Sequence, residues 1–128
     1  MIATEEVEEA AVAWIMIAGP YTTGARTDIE REENLAAMNR AAYAVLVKGH
    51  VPIIGVNLAL PIIRTAADDG RGDVFDDVMM PVSLAAAERC DGVLRVGGPS
   101  AGADDEVARI AARGGSVYRR VEDVPQAS

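Results

Sequence analysis

Residues 91–106, DGVLRVGGPSAGADDE, contain the pattern that decides the fold. The first six residues form a short apolar run, which is typical of a strand buried on both faces of a parallel sheet. A glycine-rich loop, residues 97–103, follows this run. The pattern from Asp104 to Arg113 is helical and is closed by Gly114 and Gly115. A strand that leads through such a loop into a helix predicts one unit of an α/β domain.

Three further strands are predicted outside this unit. Residues 11–18 (AVAWIMIA) form a continuous apolar run of strand length, which Gly19 and Pro20 stop. Two shorter segments, 50–54 (HVPII) and 116–120 (SVYRR), are predicted to be the second and the fourth strand along the chain. All four strands therefore belong to one buried sheet.

Two further helices are predicted between the strands. Apolar residues recur at helical spacing over 29–48, and Gly49 follows where the helix would end. Residues 73–89 form a second helical pattern, with Asp73 as a candidate N-cap and Pro81 expected to kink or divide the helix. The segment 55–66 is apolar and contains a proline, and a loop is predicted after it.

Strands that alternate with helices predict an α/β fold with three layers, flavodoxin-like or Rossmann-like, around a mainly parallel sheet of four to five strands. A chain of 128 residues has room for one domain. We assign residues 11–122 to this domain, 1–10 to an acidic extension and 123–128 to a C-terminal tail.

Charge and composition limit the partners. The formal net charge is −8, which disfavours nucleic acid polymers and anionic membranes because binding to polyanions depends on Lys and Arg.

The sequence has no apolar run of about 18 residues and its start lacks a signal-peptide pattern, so we expect a cytoplasmic protein. Cys90 is the one cysteine, and we interpret it as a core residue.

Two glycine-rich loops compete for the ligand site. Residues 19–26 follow the first strand and residues 97–106 follow the third, and both lead toward helices. Ligands of open α/β sheets bind at the carboxyl ends of the strands, where helix N-termini offer free N–H groups. Together the loops predict an anion pocket. Glu106 is expected in the first turn of its helix, where the dipole alone explains an acid or where an ionised carboxylate could act as a nucleophile.

Residues 99–106, PSAGADDE, resemble the PSxGxxxE segment of the nucleoside 2-deoxyribosyltransferase superfamily, close to the 2'-deoxynucleoside 5'-monophosphate N-hydrolases. The resemblance covers roughly residues 14–120 in order. It includes the strand that ends in GPY, the helix that contains Asn34, the pair Gly49-His50 and the pair Cys90-Asp91.

The resemblance implies an enzyme that cleaves an N-glycosidic bond of a nucleoside or nucleoside 5'-monophosphate, by hydrolysis or by transfer to a second base. Glu106 would attack C1' of the sugar, and no cofactor or metal would be needed. Ser100 and Gly102 would bind the 5' end of the substrate. The resemblance assigns the remaining substrate-binding positions to Gly19, Tyr21, Gly24, Arg26 and Ser83. It also implies a homodimer or a higher homo-oligomer.

The sequence departs from the family pattern at two positions. Met16 stands where many members have a tyrosine, and Ser83 stands where many have an aspartate. A second hypothesis is therefore a nucleotide-binding or sensing module without turnover. A third is a cytokinin-type phosphoribohydrolase, whose GGxGTxxE motif overlaps residues 102–106, although Ala103 replaces the threonine.

Other polar and apolar features receive structural interpretations. His50 is expected to cap a helix or pack at the surface, and the acidic residues of 68–77 are expected to be a solvated loop rather than a metal site. Met79 and Met80 are interpreted as core or interface residues. The apolar stretch 56–63 is a candidate subunit contact or lid, because such a run should not stay exposed.

Overall fold

Four parallel strands form the sheet of this protein in a computed structural model, which describes residues 10–128. The strands are β1 (Trp14–Ala18), β2 (Val51–Ile53), β3 (Gly92–Arg95) and β4 (Ser116–Tyr118). Their order across the sheet is β2-β1-β3-β4, and every neighbouring pair is parallel. The predicted mainly parallel α/β sheet is confirmed, with four strands. Most of the predicted extension 1–10 lies outside the described residues.

Four α-helices connect or flank the strands. They are α1 (Asp28–Val47), α2 (Gly55–Asp68), α3 (Phe75–Ala87) and α4 (Ala101–Ala112), and a short 3₁₀ turn covers Val121–Asp123. The helices and the sheet form the layers of a flavodoxin-like or Rossmann-like domain. None of the helices described between residues 10 and 128 has the length and apolar character needed to cross a membrane.

The first helix begins and ends close to the predicted positions. The Thr27 hydroxyl caps α1 by accepting a hydrogen bond of 3.1 Å from the Glu30 N–H. This contact satisfies one of the N–H groups that a helix start leaves unpaired. The helix ends just before Gly49, as the sequence pattern indicated.

The segment after β2 forms a helix rather than an irregular stretch. The structure places Val56, Ala59, Leu60 and Ile63 on the buried side of α2. Half of the apolar run 56–63 that suggested a subunit contact therefore lies in the core, while Leu58 and Ile62 are exposed. Its spacing of three and four residues fits this result, but Pro61 obscured the helical pattern.

The helix α3 begins at Phe75, two residues later than predicted. Val74 rather than Asp73 occupies the N-cap position, but the Asp73 Oδ1 accepts a hydrogen bond of 3.0 Å from the Phe75 N–H, the first N–H of the helix. Pro81 lies inside a helix that continues to Ala87 without division.

The helix α4 begins at Ala101, three residues earlier than predicted. The Ser100 side chain accepts a hydrogen bond of 3.1 Å from the Ala103 N–H and so caps the helix. Glu106 is consequently the sixth residue of α4 and lies in its second turn. The prediction that Glu106 belongs to the first turn was wrong.

Successive residues of β1 and β3 pack on opposite faces of the sheet. Ile15, Ile17 and Leu94 contribute to one buried cluster with α1 and α2, whereas Met16 and Val93 contribute to another with α4. Both faces of these central strands are covered, which explains their continuous apolar sequences.

The last residues of the chain close over the domain. Val124 is buried in the core, although residues 123–128 were assigned to a tail. The Lys48 ammonium group donates hydrogen bonds of 2.7 Å to the carbonyl oxygens of Val121 and Val124. The Ala127 N–H donates in return to the Lys48 carbonyl oxygen at 2.8 Å. We call residues 121–128 the C-terminal strap.

His50 joins this strap to the start of β1. Its ring is 2% exposed, Nδ1 accepts a hydrogen bond of 3.0 Å from the Ala13 N–H, and Nε2 lies 2.6 Å from the Pro125 carbonyl oxygen. Because Nδ1 is an acceptor, the proton of the neutral ring is on Nε2 and is donated to Pro125. His50 is thus a buried bridge and not a surface residue.

We predict that His50→Ala lowers the free energy of unfolding by about 3 kcal/mol, because it removes two hydrogen bonds and leaves a cavity. Urea denaturation followed by circular dichroism measures this change. Ser128→Ala is the control, since its exposed hydroxyl contacts Ala10 at 3.3 Å and should contribute less than about 0.5 kcal/mol. Equal stability of His50→Ala and the wild type would contradict the role of the bridge.

Candidate functional site

The candidate site lies where the strand order reverses. From β1 the chain crosses to β2 at one edge of the sheet, and from β3 it crosses to β4 at the opposite edge. The loops after β1 and β3 therefore lead away from each other at the carboxyl ends of these two strands. This is the position where open α/β sheets bind ligands.

The two loops touch at the base of this site. The Val96 N–H donates a hydrogen bond of 2.9 Å to the Ala18 carbonyl oxygen. Gly97 has a φ of 76°, and a Cβ atom there would lie 2.8 Å from the Pro20 ring. A Cβ atom on Gly19 would lie 3.0 Å from the Val96 side chain. Glycine is therefore required for this close contact.

Above the contact lies a cleft of about 210 Å³, which we call the inner chamber. Six of the eight residues predicted to form the site line it. They are Gly19, Tyr21, Ser83, Ser100, Gly102 and Glu106. The structure therefore brings together residues from both loops and from α3, which are far apart in sequence.

Gly24 and Arg26 do not line the inner chamber. The loop turns back at this point, because the Ala25 N–H donates to the Thr22 carbonyl oxygen at 3.0 Å. The Arg26 N–H then donates to the Glu30 carboxylate at 2.6 Å, and the Arg26 side chain is exposed. These contacts direct the segment toward the start of α1 and away from the cleft.

Glu106 is a buried carboxylate that faces the inner chamber without a protein partner. It is 7% exposed, and it makes no hydrogen bond or ion pair to any residue of the described part of the chain. Its carboxylate oxygens are open to the cleft, since no wholly buried side-chain oxygen of residues 10–128 lacks a hydrogen-bond partner. A ligand in the cleft would supply the missing partner.

Burial determines the protonation of Glu106. It raises the pKa of Glu106 to about 7, while the Arg95 guanidinium lowers it and the nearby Asp105 raises it further. The helix dipole does not offset the effect of burial, because it acts mainly within the first turn and Glu106 is in the second. At neutral pH both protonation states of Glu106 are populated.

Arg95 supports the loop that precedes α4, and the sequence analysis did not identify it. Its guanidinium donates to the carbonyl oxygens of Val96 and Gly98, the latter at 2.8 Å, and to the Asp104 carboxylate at 3.1 Å. The signal in the sequence was a charged residue within an otherwise apolar strand. Arg95 thereby fixes the loop and places a positive charge near Glu106.

The N-terminus of α4 opens into the inner chamber beside Glu106. Ser100 already occupies the N–H groups of Ala103 and Asp104 through its side chain and carbonyl oxygen. The N–H groups of Ala101 and Gly102 lie at the start of the helix and have no carbonyl oxygen within the helix to which they could donate. They can therefore donate to an anionic or hydroxyl group of a ligand.

Apolar side chains from α2 and α3 also line the inner chamber and form an apolar wall, which meets the N-terminus of α4 where Met80 lies against Gly102. They are Val56, Phe75, Met79 and Met80. None of the four was predicted to line the site. Met79 is buried in the core, as predicted, and it also lines the chamber. Such a wall suits a flat apolar ring, because aromatic and thioether groups favour aromatic partners.

The two positions that depart from the family pattern occupy different surroundings. Ser83 is 3% exposed and lines the inner chamber. Met16 is fully buried in the core and does not line the cleft. No hydroxyl group therefore reaches the site from position 16.

Three other candidate groups lie away from the chamber or are unreactive. The His50 ring is hydrogen-bonded through Nε2 to the Pro125 carbonyl oxygen of the C-terminal strap. Burial raises the pKa of the Cys90 thiol to about 11, with a further contribution from Asp91, which makes a thiolate rare at neutral pH. Within residues 10–128, no three His, Cys, Asp or Glu side chains are grouped so that they could hold a metal ion.

The sequence was also compared with known proteins. No protein-family model matches this chain, and no curated protein is significantly similar to it.

We predict that Glu106→Gln stabilises the protein, and increasingly so as the pH rises. The raised pKa means that the folded state binds more protons than the unfolded state between about pH 4.5 and pH 7, so wild-type stability falls as the pH rises through this interval. The difference between variant and wild type should grow from near zero at pH 4.5 to about 3 kcal/mol at pH 8.

Urea denaturation at several pH values measures this difference. The control is Glu122→Gln, the same chemical change at an exposed position, which should leave the pH dependence unchanged. A constant difference between Glu106→Gln and wild type across the pH range would contradict the assignment.

Proposed function

We propose that this protein cleaves the N-glycosidic bond of a nucleoside or nucleoside 5'-monophosphate, with Glu106 as the nucleophile. The observation that carries the proposal is the position of Glu106, a buried carboxylate without a protein partner in a cleft that also receives a helix N-terminus. The resemblance of residues 99–106 to the nucleoside 2-deoxyribosyltransferase superfamily supports the same chemistry.

The environment of Glu106 suits attack on a sugar. Departure of a base from C1' leaves positive charge on the sugar ring, and a desolvated carboxylate stabilises that charge more strongly than a hydrated one. A carboxylate with a pKa of about 7 is also more basic than an ordinary glutamate, while a large fraction stays ionised at neutral pH. The positive charge of Arg95 lowers the pKa of Glu106 and so increases the ionised fraction.

The reaction proceeds in two steps. One Glu106 oxygen forms a bond to C1' while the bond from C1' to the base nitrogen breaks, and the base leaves with the electron pair and takes up a proton. Water then attacks C1' of the glycosyl ester, loses a proton and releases the Glu106 carboxylate. A second base in place of water gives transfer instead of hydrolysis. Neither step requires a metal or a cofactor.

The two ends of the substrate would meet different walls. The 5' hydroxyl or phosphate accepts hydrogen bonds from the N–H groups of Ala101 and Gly102 and from the Ser100 hydroxyl. The base lies against Phe75 and Met79 on the apolar wall. This orientation brings C1' between the two walls and next to Glu106.

A nucleotide-binding module without turnover is the second candidate. The burial of Met16 and the presence of Ser83 favour it, because the site then lacks two polar groups that family members use. Such a module would bind the same ligands through the same walls.

We also propose that the protein forms a homodimer or higher oligomer. Leu58 and Ile62 on α2 and Tyr43 and Val47 on α1 are large apolar side chains that are exposed in the single chain. Analytical ultracentrifugation should show an oligomer that Ile62→Glu weakens. A monomeric wild type at tens of micromolar would contradict the proposal.

We predict release of free base from at least one member of a panel of ribo- and deoxyribonucleoside 5'-monophosphates, measured by chromatography. Glu106→Gln should lower the rate at least about 1000-fold, because the covalent step is lost. Because the ionised carboxylate is the nucleophile, kcat/KM should rise as the pH rises and level off above about pH 7.

The exposed control Glu122→Gln should retain the wild-type rate. Binding of a monophosphate without release of base would favour the second candidate. Neither binding nor release across the panel would contradict both candidates.

A further inference from the structure

Next to the inner chamber, on the side of Tyr21 and Phe75, lies a second cavity of about 280 Å³, which we call the outer chamber. Its lining consists of Tyr21, Thr22, Arg31, Leu60, Asp73 and Phe75, and three of these six residues also line the inner chamber. Each chamber is smaller than the roughly 300 Å³ that marks the lower end of ordinary ligand pockets. Together the two chambers have the volume of an ordinary ligand pocket.

The outer chamber carries one positive and one negative side chain. Arg31 and Asp73 both line it, and Leu60 and Phe75 supply apolar surface between them. A phosphate is disfavoured here because Asp73 would repel it, and the N-terminus of α4 already offers a better anion site. The chamber instead suits a neutral flat ring that has hydrogen-bond donors and acceptors along one edge.

Local contacts orient the groups of the outer chamber. Asp73 Oδ1 is held by the Phe75 N–H, and Oδ2 makes no hydrogen bond to any residue from 10 to 128. The Tyr21 carbonyl oxygen accepts a hydrogen bond of 2.9 Å from Asn34, which fixes the backbone of this residue. Tyr21 and Phe75 can therefore contact the faces of a ring while Asp73 accepts from its edge.

Arg31 remains accessible to a ligand. Its guanidinium pairs with Asp28, whose side chain is 91% exposed, on the first turn of α1. An ion pair at such an exposed position contributes little energy. The guanidinium can consequently exchange this contact for hydrogen bonds to a ring oxygen or nitrogen in the chamber.

We propose that the outer chamber recognises guanine, so that the preferred substrates are guanine nucleotides. Guanine presents the 2-amino group, N1–H and O6 along its Watson–Crick edge, and N7 lies beside O6 on the adjoining Hoogsteen edge. The carboxylate of Asp73 accepts from the 2-amino group and N1–H, and the guanidinium of Arg31 donates to O6 and N7. The inference rests on the proposed function, which places the sugar beside Glu106 and the base against Phe75, a residue that also lines the outer chamber.

The other bases use fewer of these groups. Hypoxanthine lacks the 2-amino group, adenine has no N1–H donor, and uracil has no amino group at all. A comparison of guanine with hypoxanthine nucleotides is therefore the most direct test of Asp73, since the two differ only in the amino group that Asp73 would bind.

Isothermal titration calorimetry of the full-length Glu106→Gln variant, which prevents turnover, tests the inference. The probes are GMP, IMP, AMP and UMP in their ribo and 2'-deoxy forms. We expect GMP to bind at least about tenfold more tightly than IMP. Adding Asp73→Asn should bring the two affinities within about twofold, whereas the control Asp76→Asn, an exposed aspartate that lines neither chamber, should retain the preference. Circular dichroism confirms that each variant is folded.

Equal affinity for GMP and IMP, or a preference that survives Asp73→Asn, would overturn the inference. Release of base by the wild type, measured in parallel, separates this outcome from failure of the proposed function. Base release without a guanine preference refutes only the inference. A guanine preference that depends on Asp73, without any base release, refutes only the catalytic proposal. No binding of any of the probes overturns the inference.

Discussion

The site of this protein depends on the close contact between the loops that follow β1 and β3. Gly19 packs against Val96, and Gly97 packs against Pro20, at distances that leave no space for a side chain. This contact fixes the position at which the chain leaves β3. It therefore also fixes the position from which Ser100 caps α4. The position of Glu106 follows from that cap, one and a half turns farther along the helix. A change at the base of the loops would displace the carboxylate.

Two electrostatic effects compete at Glu106, and burial wins. A residue in the first turn of α4 would gain from the free N–H groups of the helix start, but this effect is weak by the second turn. Removal from water disfavours the charged form more strongly, and Arg95 reverses only part of that effect. The same helix thus separates two tasks, because its first turn can hold an anion while its second turn presents a carboxylate of raised pKa. That separation suits a substrate with a phosphate at one end and a reactive carbon a few ångströms away.

The regular parts of the fold could be predicted from the sequence, because they follow from periodicity. The strands around residues 14–18 and 92–95 and the helix α1 lie within a few residues of their predicted positions. The start of α4 could not be predicted, since Ser100 competed with Asp104 as a cap and only tertiary placement of the loop decides between them.

The lining of the site was partly predictable for a similar reason. Loop residues with a motif, such as Ser100 and Glu106, carry a local signal. The apolar wall contributed by Phe75 and Met80 carries none, because an apolar side chain beside a ligand has the same sequence pattern as one in a core. The role of Arg95 depends on the carbonyl groups that surround it, and these positions are set only when the loop is folded.

The C-terminal strap has a consequence for how the domain folds. Ala10 is hydrogen-bonded to Gln126 and Ser128, and Ala13 is joined to Pro125 through His50, so the first and last parts of the described chain lie side by side. Contacts of such long sequence separation form only after the whole intervening chain has been ordered. During synthesis, the sheet can assemble once β4 has emerged, but its outer layer cannot close until residues 121–128 have emerged as well. The domain should then unfold as a single cooperative unit, because opening at one end of the chain releases the other.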